Sequence, residues 1–416
     1  MTSTCAGRVR WARPGPAWSG ERVSSSTEQT TVPAEAARSL RLLQVAAFTS
    51  SFDRLMIASM LVVIAVELDG TVESVSRAAA TYLLCYGVAQ ICWAMVSDRL
   101  GRVRTMRLAL VLATVGGLAS AAVPDVGWLM VARGFTGACF AAAIPSALVY
   151  IGDTVPVRIR QAPLTDLMTS TAVGMAAATV GAGLLADFTS WRVAFALTAV
   201  VAGVLSVVMR RLPEPVVATR APILASLRAV LVNRPALLVL LLALSEGLVL
   251  LGPLTFLPAV LHASGLSVTV SGLLIGAYGA AVLVFARVVK RRSRKMAPAN
   301  LILVGGSLAV LAYVLLTVSH GVVEVVIGTV LLGAGWAFMH STLQTWATDM
   351  APDYRATAVS LFATMLFTGS AVGAAIFGPL VDAGSFQAVF VITLAVAVPL
   401  TITATIGRRR YATRGH

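Results

Sequence analysis

The sequence predicts an all-α polytopic membrane protein with twelve transmembrane helices in two pseudo-symmetric six-helix bundles. Three observations support this fold class: twelve apolar segments of about 20 residues, a repeat relating the two halves of the chain, and basic residues confined to alternate connections. Of the 416 residues, 58% are hydrophobic and 12% are charged, and the mean hydropathy is +0.86. Soluble domains carry about 25% charged residues, so the composition excludes a soluble globular protein.

Each apolar segment is long enough to cross a bilayer as a helix, because a helix rises about 1.5 Å per residue and the hydrocarbon core is about 30 Å thick. Lipid cannot satisfy backbone hydrogen bonds, so the segments are predicted to be helical even where they contain Gly or Pro. Short connections make neighbouring helices antiparallel. In chain order, the predicted spans cover residues 43–66, 76–96, 105–123, 127–150, 164–186, 191–209, 235–259, 269–286, 300–318, 321–345, 357–380 and 386–406.

Most Lys and Arg residues lie in every second connection, and this bias predicts the orientation of the chain. Short loops rich in Lys and Arg remain on the cytoplasmic side. We therefore expect a multi-pass protein of the cell (inner) membrane with both termini in the cytoplasm. The net charge of +14 comes from these loops, so we expect contact with the lipid bilayer and no nucleic-acid partner. The basic connections are residues 8–41, 99–107, 158–160, 210–234, 287–295, 355 and 408–414.

The domain organisation follows from the same pattern. Residues 1–40 are rich in Ser, Thr, Pro and Arg and lack the apolar core of a signal peptide, so they are predicted to form a disordered cytoplasmic tail. An N-terminal bundle is predicted over 41–210 and a C-terminal bundle over 235–407. A cytoplasmic linker, 211–234, joins the bundles, and residues 408–416 form a second tail.

The two halves repeat each other at a nearly constant separation. Spans four and five thereby correspond to spans ten and eleven, and two parallel repeats of this kind are typical of transporters that enclose a cavity at the membrane midplane. The pairs separated by 196 residues are Asp153 with Asp349, Pro156 with Pro352 and Gly137 with Gly333; those separated by 195 are Gly174 with Gly369, Gly183 with Gly378 and Phe195 with Phe390.

Several motifs resemble signatures of the major facilitator superfamily. The charged loop after the second span contains Asp98, Arg99, Gly101, Arg102 and Arg104. Arg133 and Gly137 resemble the superfamily's fourth-helix signature, and residues 338–369 are similar to bacterial members described as efflux permeases. The resemblance covers about residues 40–407 and implies a secondary transporter with two rocking bundles.

The resemblance also implies roles for the charged loop. Asp98 and Gly101 would form a conformational clamp at the inner gate, held by Arg99, Arg102 and Arg104 through charge-assisted hydrogen bonds. The alternative is that these arginines only orient the chain. At the corresponding place in the second half, residues 287–295 are basic without an acid, so that copy of the clamp is expected to be lost.

Two acids lie deep within predicted spans and are candidates for carrying a proton. An ionisable group at the centre of a membrane helix costs about 2.5–3.5 kcal/mol on insertion scales and is a functional candidate for that reason. These acids are Asp53 in span one and Glu246 in span seven, and the repeat places them at similar depth. For Asp53, a structural ion pair with an Arg from another helix is the alternative.

Candidates for lining the substrate cavity are arginines and polar faces of helices. Arg54 and Arg133 could hold an anionic substrate. Tyr82, Tyr86 and Gln90 share one helix face, as do Trp336, His340 and Gln344, because each set repeats every four residues. Such faces suit a wet cavity, and the alternative is interhelical hydrogen bonding within a bundle. We expect His340 and Gln344 to line the cavity, with a proton-relay role as the alternative for His340, and Trp336 to serve in packing.

These features predict a secondary active transporter that moves a small organic molecule by alternating access, as proton-coupled efflux. The alternative is uptake symport of a metabolite or organic anion, which is favoured by Thr179 standing where the superfamily's antiporter signature has Pro. We expect no enzyme activity, no metal or other cofactor, and no ATP-binding loop. A monomer suffices for alternating access. A channel, a receptor and a membrane-embedded enzyme are the rival classes, and the last is disfavoured because the four His residues lie in separate segments.

Overall fold

The computed structural model describes residues 34–156, 159–215, 223–293 and 295–414. Over these ranges the chain is helical, and twelve helices are long and apolar enough to cross a membrane, which confirms the predicted fold class. We number them spans 1 to 12. In chain order they are Arg38–Glu67, Val72–Leu100, Arg102–Ala121, Val126–Thr154, Gln161–Phe188, Trp191–Arg211, Arg234–Ala263, Val268–Arg292, Pro298–Val318, Val322–Met350, Thr357–Asp382 and Phe386–Tyr411.

Two spans are interrupted within the membrane. Span 4 consists of the helices Val126–Phe140 and Ala143–Thr154. Span 7 is a regular helix over Arg234–Glu246, then a π-helical turn over Gly247–Leu251, a 3₁₀ turn over Pro253–Thr255 and a short helix over Leu257–Ala263. Pro253 and Pro258 lack the N–H that a continuous helix needs, so they account for the break.

The segment boundaries differ from the prediction at both ends and in the linker. The first helix begins at Ala34, inside the predicted tail 1–40, whose first 33 residues lie outside the described part. The linker contains a further helix, Ile223–Val232, and residues 216–222 of the linker lie outside the described part. The last helix, Phe386–Arg414, runs through most of the predicted C-terminal tail. The apolar residues identify the part of each helix within the hydrocarbon core. They do not identify the polar turns by which a helix extends beyond it.

Contacts between spans arrange the chain as two bundles. In the first half span 1 packs on span 5, span 2 on span 4 and span 3 on span 6. In the second half span 9 packs on spans 10 and 12, span 8 on span 10 and span 7 on span 11. Spans 2 and 11 and spans 5 and 8 contact each other across the boundary between the halves.

The repeat predicted from the sequence appears as repeated packing. Gly174 lies against the backbone of Phe48, and Gly369 lies against the backbone of Leu244; a Cβ at either glycine would come within 3.1 Å of the opposing Cα. Gly137 contacts the carbonyl of Tyr82 as Gly333 contacts that of Tyr278. Phe48 with Leu244 and Tyr82 with Tyr278 are themselves 196 residues apart. Small residues at these points let the backbones approach closely in both halves.

The halves are joined on one side of the membrane. Span 1 begins and span 12 ends on the same side, which we call the terminal face; the other side is the opposite face. At the opposite face Asp187 Oδ2, at the end of span 5, accepts a hydrogen bond of 2.8 Å from the N–H of Thr269 in span 8. Asp382 Oδ2, at the end of span 11, accepts a bond of 2.8 Å from the N–H of Glu73 in span 2. In the described conformation these two hydrogen bonds therefore link the halves at the opposite face.

Candidate functional site

Asp53 and Arg133 form a fully buried ion pair inside the first half. The carboxylate Oδ2 of Asp53 lies 3.0 Å from Nη2 of Arg133, and both side chains have an exposed fraction of zero. Arg133 also donates to the backbone carbonyl of Asp53 at 2.8 Å, and the hydroxyl of Thr198 donates to Asp53 Oδ1 at 2.9 Å. Spans 1, 4 and 6 are thereby tied together at one point.

Aromatic rings enclose the same arginine. The guanidinium carbon of Arg133 lies 4.4 Å from the ring centre of Tyr82 and 4.7 Å from that of Phe195. These cation–π contacts and the Asp53 carboxylate leave no exposed surface on Arg133. The sequence predicted Arg133 as a possible contact for an anionic substrate, but in this conformation it is enclosed by protein.

Arg54 has a different environment from its neighbour Asp53. Its guanidinium carbon lies 5.3 Å from the ring centre of Tyr86, in span 2, and 5.0 Å from that of Phe367, in span 11. Arg54 is partly exposed and forms no ion pair with any carboxylate of the described residues. It therefore places an uncompensated positive charge between the two halves.

Glu246 and His340 are brought together in the second half. Nδ1 of His340 lies 3.3 Å from Oε2 of Glu246; the acid is fully buried, whereas the histidine side chain is 17% exposed. The other carboxyl oxygen, Oε1, has no hydrogen-bond partner. Trp336 stacks on the imidazole with ring centres 3.9 Å apart and an angle of 15° between the planes. His340 thus connects a buried carboxyl group to a more exposed part of the molecule.

The backbone fixes the position of this acid. Glu246 is the last residue of the regular helix in span 7, and the π-helical turn follows directly. Gly247, the next residue, lies against the carbonyl of Leu366 in span 11, so that the two backbones touch beside the carboxyl group. π-helical turns occur frequently at functional sites in helices. The irregular part of span 7 therefore coincides with its one deeply placed acid.

Tyr278, in span 8, belongs to the same region and is a residue that the sequence analysis missed. It is 3% exposed, its hydroxyl has no hydrogen-bond partner, and it lies close enough to Glu246 and Arg54 to interact with both charges. Its separation of 196 residues from Tyr82 was the available signal. The two tyrosines place equivalent hydroxyl groups in the two halves.

A small cavity lies beside Tyr278 at the boundary between the halves. Its volume is about 20 Å³, about the space of one water molecule. Leu55 of span 1 and Thr179 of span 5 line it from the first half, and Thr255 of span 7 and Tyr278 of span 8 line it from the second. Residues of both bundles thus line a small space that Tyr278 shares with the region of the charged side chains.

The face formed by Tyr82, Tyr86 and Gln90 is packed against protein rather than wet in this conformation. The two tyrosines are 1% exposed and Gln90 is 6% exposed. Tyr86 makes an edge contact with Phe367, with ring centres 5.0 Å apart. A helical repeat of four shows that side chains share a face, but not whether that face meets a cavity or another helix. Gln344, one turn from His340, is partly exposed.

The charged loop between spans 2 and 3 binds within the first half. Arg102 is 2% exposed, and it lies 2.8 Å from Asp98 Oδ1 and 3.5 Å from Asp153 Oδ2 of span 4. Its Nη1 also donates to Ser97 Oγ at 2.8 Å. The sequence led us to expect a clamp between the two bundles, whereas in this conformation the network ties spans 2, 3 and 4 of one bundle.

Glu214 completes this loop and was not singled out from the sequence. Its carboxylate accepts hydrogen bonds from the N–H groups of Val103 and Arg104 at 3.0 and 3.1 Å. An acid at the first turn of a helix satisfies N–H groups that have no partner within the helix. Gly101 has a φ of +94°, which only glycine adopts readily. The remaining loop residue, Arg99, is exposed.

In the second half Asp349, which is equivalent to Asp153, pairs with an arginine from a different span. Asp349 Oδ2 lies 2.9 Å from Nη2 of Arg408, which is supplied by span 12 rather than by the loop at 287–295. Each half therefore pairs this aspartate with an arginine, but the arginines come from different spans.

Comparisons with known proteins agree with this architecture. The sequence model of the Major Facilitator Superfamily matches residues 43–374. No curated protein sequence matches the chain. Among solved structures, a bacterial homologue of the human lysosomal transporter Spinster, in an inward-facing and unoccupied conformation, superposes with a TM-score of 0.76 at 15% identity, covering 92% of this chain and 99% of the other.

Two further transporter structures show the same fold. A mutant of the nucleoside transporter NupG gives a TM-score of 0.74 at 15% identity, with 89% of this chain and 99% of the other covered. The xylose transporter XylE from E. coli, in a partially occluded inward-open conformation, gives 0.69 at 15% identity, with 87% and 95% covered. The twelve-span architecture, the repeated packing and the family match together establish that this chain belongs to the Major Facilitator Superfamily.

Proposed function

We propose that this protein is a secondary transporter of a small organic molecule that is coupled to protons, and that Glu246 and His340 form the proton site. The observation that carries the proposal is the contact between a fully buried carboxyl group and a partly exposed imidazole. Histidine exchanges protons near neutral pH, and a carboxyl group with one unpartnered oxygen can hold a proton or release it.

Four ionisable groups define the proposed coupling: His340 contacts Glu246, and Tyr278 lies near both Glu246 and Arg54. They are Glu246 in span 7, His340 in span 10, Tyr278 in span 8 and Arg54 in span 1. They come from both halves, so a rocking motion changes the distances between them. The protonation of Glu246 then depends on which face of the membrane the site is open to. This dependence couples proton movement to transport of the substrate.

Asp53 has a different proposed role. Its oxygens accept from Arg133 and from Thr198, and neither partner of the ion pair is exposed. We propose that this pair holds the first bundle together as a rigid unit, which was the alternative interpretation of Asp53. The proton-carrying role then falls to Glu246.

The orientation and cycle follow from the loop charges. The basic connections lie on the terminal face, which supports placing that face in the cytoplasm of the cell and both termini with it. In that orientation the hydrogen bonds of Asp187 and Asp382 lie at the outer face of the membrane. Alternating access requires that the contacts at Asp187 and Asp382 open while the terminal face closes. The loop at Asp98 and Arg102 is positioned to act in that closure, and a monomer can complete the cycle.

Two directions of transport are candidates. Efflux in exchange for protons is the first candidate, as expected from the resemblance of residues 338–369 to efflux permeases. Uptake together with a proton is the second candidate, and the observation that favours it is Arg54, whose unpaired charge suits an anionic metabolite.

Reconstituted vesicles that contain a pH-sensitive dye test the coupling. A panel of organic acids, amines and neutral drugs is added, and proton movement is recorded with and without each compound. We expect Glu246→Gln and His340→Asn to abolish compound-dependent proton movement, whereas Glu324→Gln, a matched change in the first turn of span 10, leaves it intact. Normal proton movement in Glu246→Gln would exclude the proposed proton site.

A further inference from the structure

The cavity region contains polar groups that the protein leaves without partners. The guanidinium of Arg54 lies over two aromatic rings, one from each half, and has no ion-pair partner in the part of the chain that the structure describes. The hydroxyl of Tyr278 and the Oε1 atom of Glu246 are buried without a hydrogen bond. Unpaired polar groups at this depth are costly. The buried guanidinium groups of Arg102 and Arg133 are both paired with acids, whereas the partly exposed Arg54 has no such partner among the described residues.

We propose that the substrate is a small organic acid whose carboxylate binds Arg54 and accepts a hydrogen bond from Tyr278. This inference rests on the proposed function, because it assigns the substrate class of the same site. A carboxylate matches the guanidinium in both charge and geometry, since two parallel N–H groups meet two oxygens. A phosphate at neutral pH carries up to two negative charges, and Arg54 supplies a single positive one.

The place of Arg54 makes such a contact sensitive to the transport cycle. Its two rings, Tyr86 and Phe367, belong to spans 2 and 11, which form one of the two seams between the halves. Aromatic faces attract the guanidinium less strongly than an ionised partner does in a dry site. A bound carboxylate can therefore replace the weaker ring contacts, and ligand binding then acts on both halves at once.

The acid and the proton are linked by electrostatics. Two negative charges, on the ligand and on ionised Glu246, repel each other across the region that Tyr278 bridges. A proton taken up by Glu246 and His340 removes this repulsion. The carboxylate and the proton therefore favour each other's binding, and this mutual preference corresponds to symport, in which both cross in the same direction.

Ligand-dependent thermal stability of the purified protein tests the substrate class. The probes are aromatic and aliphatic monocarboxylates, among them benzoate and pyruvate, dicarboxylates and amino acids, each paired with its uncharged amide, together with a series of organic phosphates. We expect at least one carboxylate to stabilise the protein where its amide does not. Its Kd is expected to rise about tenfold or more in Arg54→Gln, less in Arg54→Lys, and not at all in Arg228→Gln, a change at an exposed residue of the linker helix.

Several results would overturn the inference: no carboxylate binds, amides or phosphates bind better than carboxylates, or affinity persists in Arg54→Gln. If Arg54→Gln fails to fold, the comparison of acid with amide on the parent protein and the Kd of Tyr278→Phe, expected to rise several-fold, decide the matter. Carboxylate binding without proton uptake would preserve this inference and refute the proposed coupling. Proton-coupled transport of an uncharged compound, unchanged in Arg54→Gln, would support the proposed coupling and refute the assignment of an organic acid as substrate.

Discussion

The carboxylate of Asp187 accepts a hydrogen bond from the backbone N–H of Thr269 across the boundary between the two halves, with an O to N distance of 2.8 Å. The repeat produces an equivalent contact, in which the carboxylate of Asp382 accepts a hydrogen bond from the backbone N–H of Glu73 at the same distance. In both, an aspartate that ends one helix meets the first turn of a helix in the other half, where N–H groups lack partners and negative charge is favourable.

We predict that Asp187→Ala and Asp382→Ala each weaken the closure of the opposite face. The loss of a side chain that caps a helix costs about 0.5–2 kcal/mol, which changes the ratio of closed to open molecules by roughly tenfold. Spin labels at Val66 and Val318, which are 74% and 82% exposed, measure the distance between the halves. We expect a population with longer distances in each variant and a larger one in the double variant.

Asp125→Ala is the matched control for this experiment. Asp125 accepts from the N–H of Trp128 and caps span 4 within a single half, so its loss should lower stability without lengthening the distance between labels. An unchanged distance distribution in both Asp187→Ala and Asp382→Ala would show that these contacts do not hold the face closed.

We predict that the Asp53–Arg133 pair contributes to stability more than to coupling. Removal of one member of a buried ion pair leaves an unpaired charge and costs about 3–5 kcal/mol, so Asp53→Asn and Arg133→Gln should each lower the apparent Tm by at least about 5 °C. The double variant should lose less than the sum of the two. Arg77→Gln, which removes the exposed arginine of the Glu73–Arg77 pair, should have little effect. Additive losses in the double variant would contradict the pairing.

We predict that Gly369→Ala disrupts the contact between spans 7 and 11 beside Glu246. The new Cβ would overlap the backbone of Leu244, and overpacking of this kind costs about 1–3 kcal/mol. Gly174→Ala should behave alike against Phe48. Gly152→Ala, where no atom lies within 4 Å of the new Cβ, should instead stabilise its helix by up to about 1 kcal/mol. Thermal unfolding of the three variants measures these effects, and equal stability of Gly369→Ala and Gly152→Ala would refute the prediction.

The spans and the repeat were predictable because both depend on local sequence. Hydropathy over about 20 residues marks a helix in lipid, and equal separations such as that of Gly137 and Gly333 mark equivalent positions, which the structure shows as equivalent backbone contacts. The predicted equivalence in depth of Asp53 and Glu246 holds only to within about one helical turn. Leu244 corresponds to Phe48 by contact, so the residue equivalent to Glu246 is Ser50 and not Asp53.

The partners of the site residues were not predictable from spacing. Glu246 and His340 are 94 residues apart, and neither helical periodicity nor the repeat relates a residue of span 7 to one of span 10. The same holds for Glu214, whose carboxylate reaches the loop of Arg104 from the linker. Both contacts depend on how helices are rotated against each other, which is set by tertiary packing.

The irregular backbone of span 7 makes the two equivalent spans, 1 and 7, differ in stiffness. Span 1 belongs to one unbroken helix, Ala34–Glu67, whereas its counterpart changes from α to π to 3₁₀ geometry within the membrane. A helix in which every backbone hydrogen bond is made resists bending. A helix that lacks some of these hydrogen bonds bends at a lower cost in free energy. Within this pair of equivalent spans, the first-half copy therefore provides a stiff rod and the second-half copy a point at which the helix can bend.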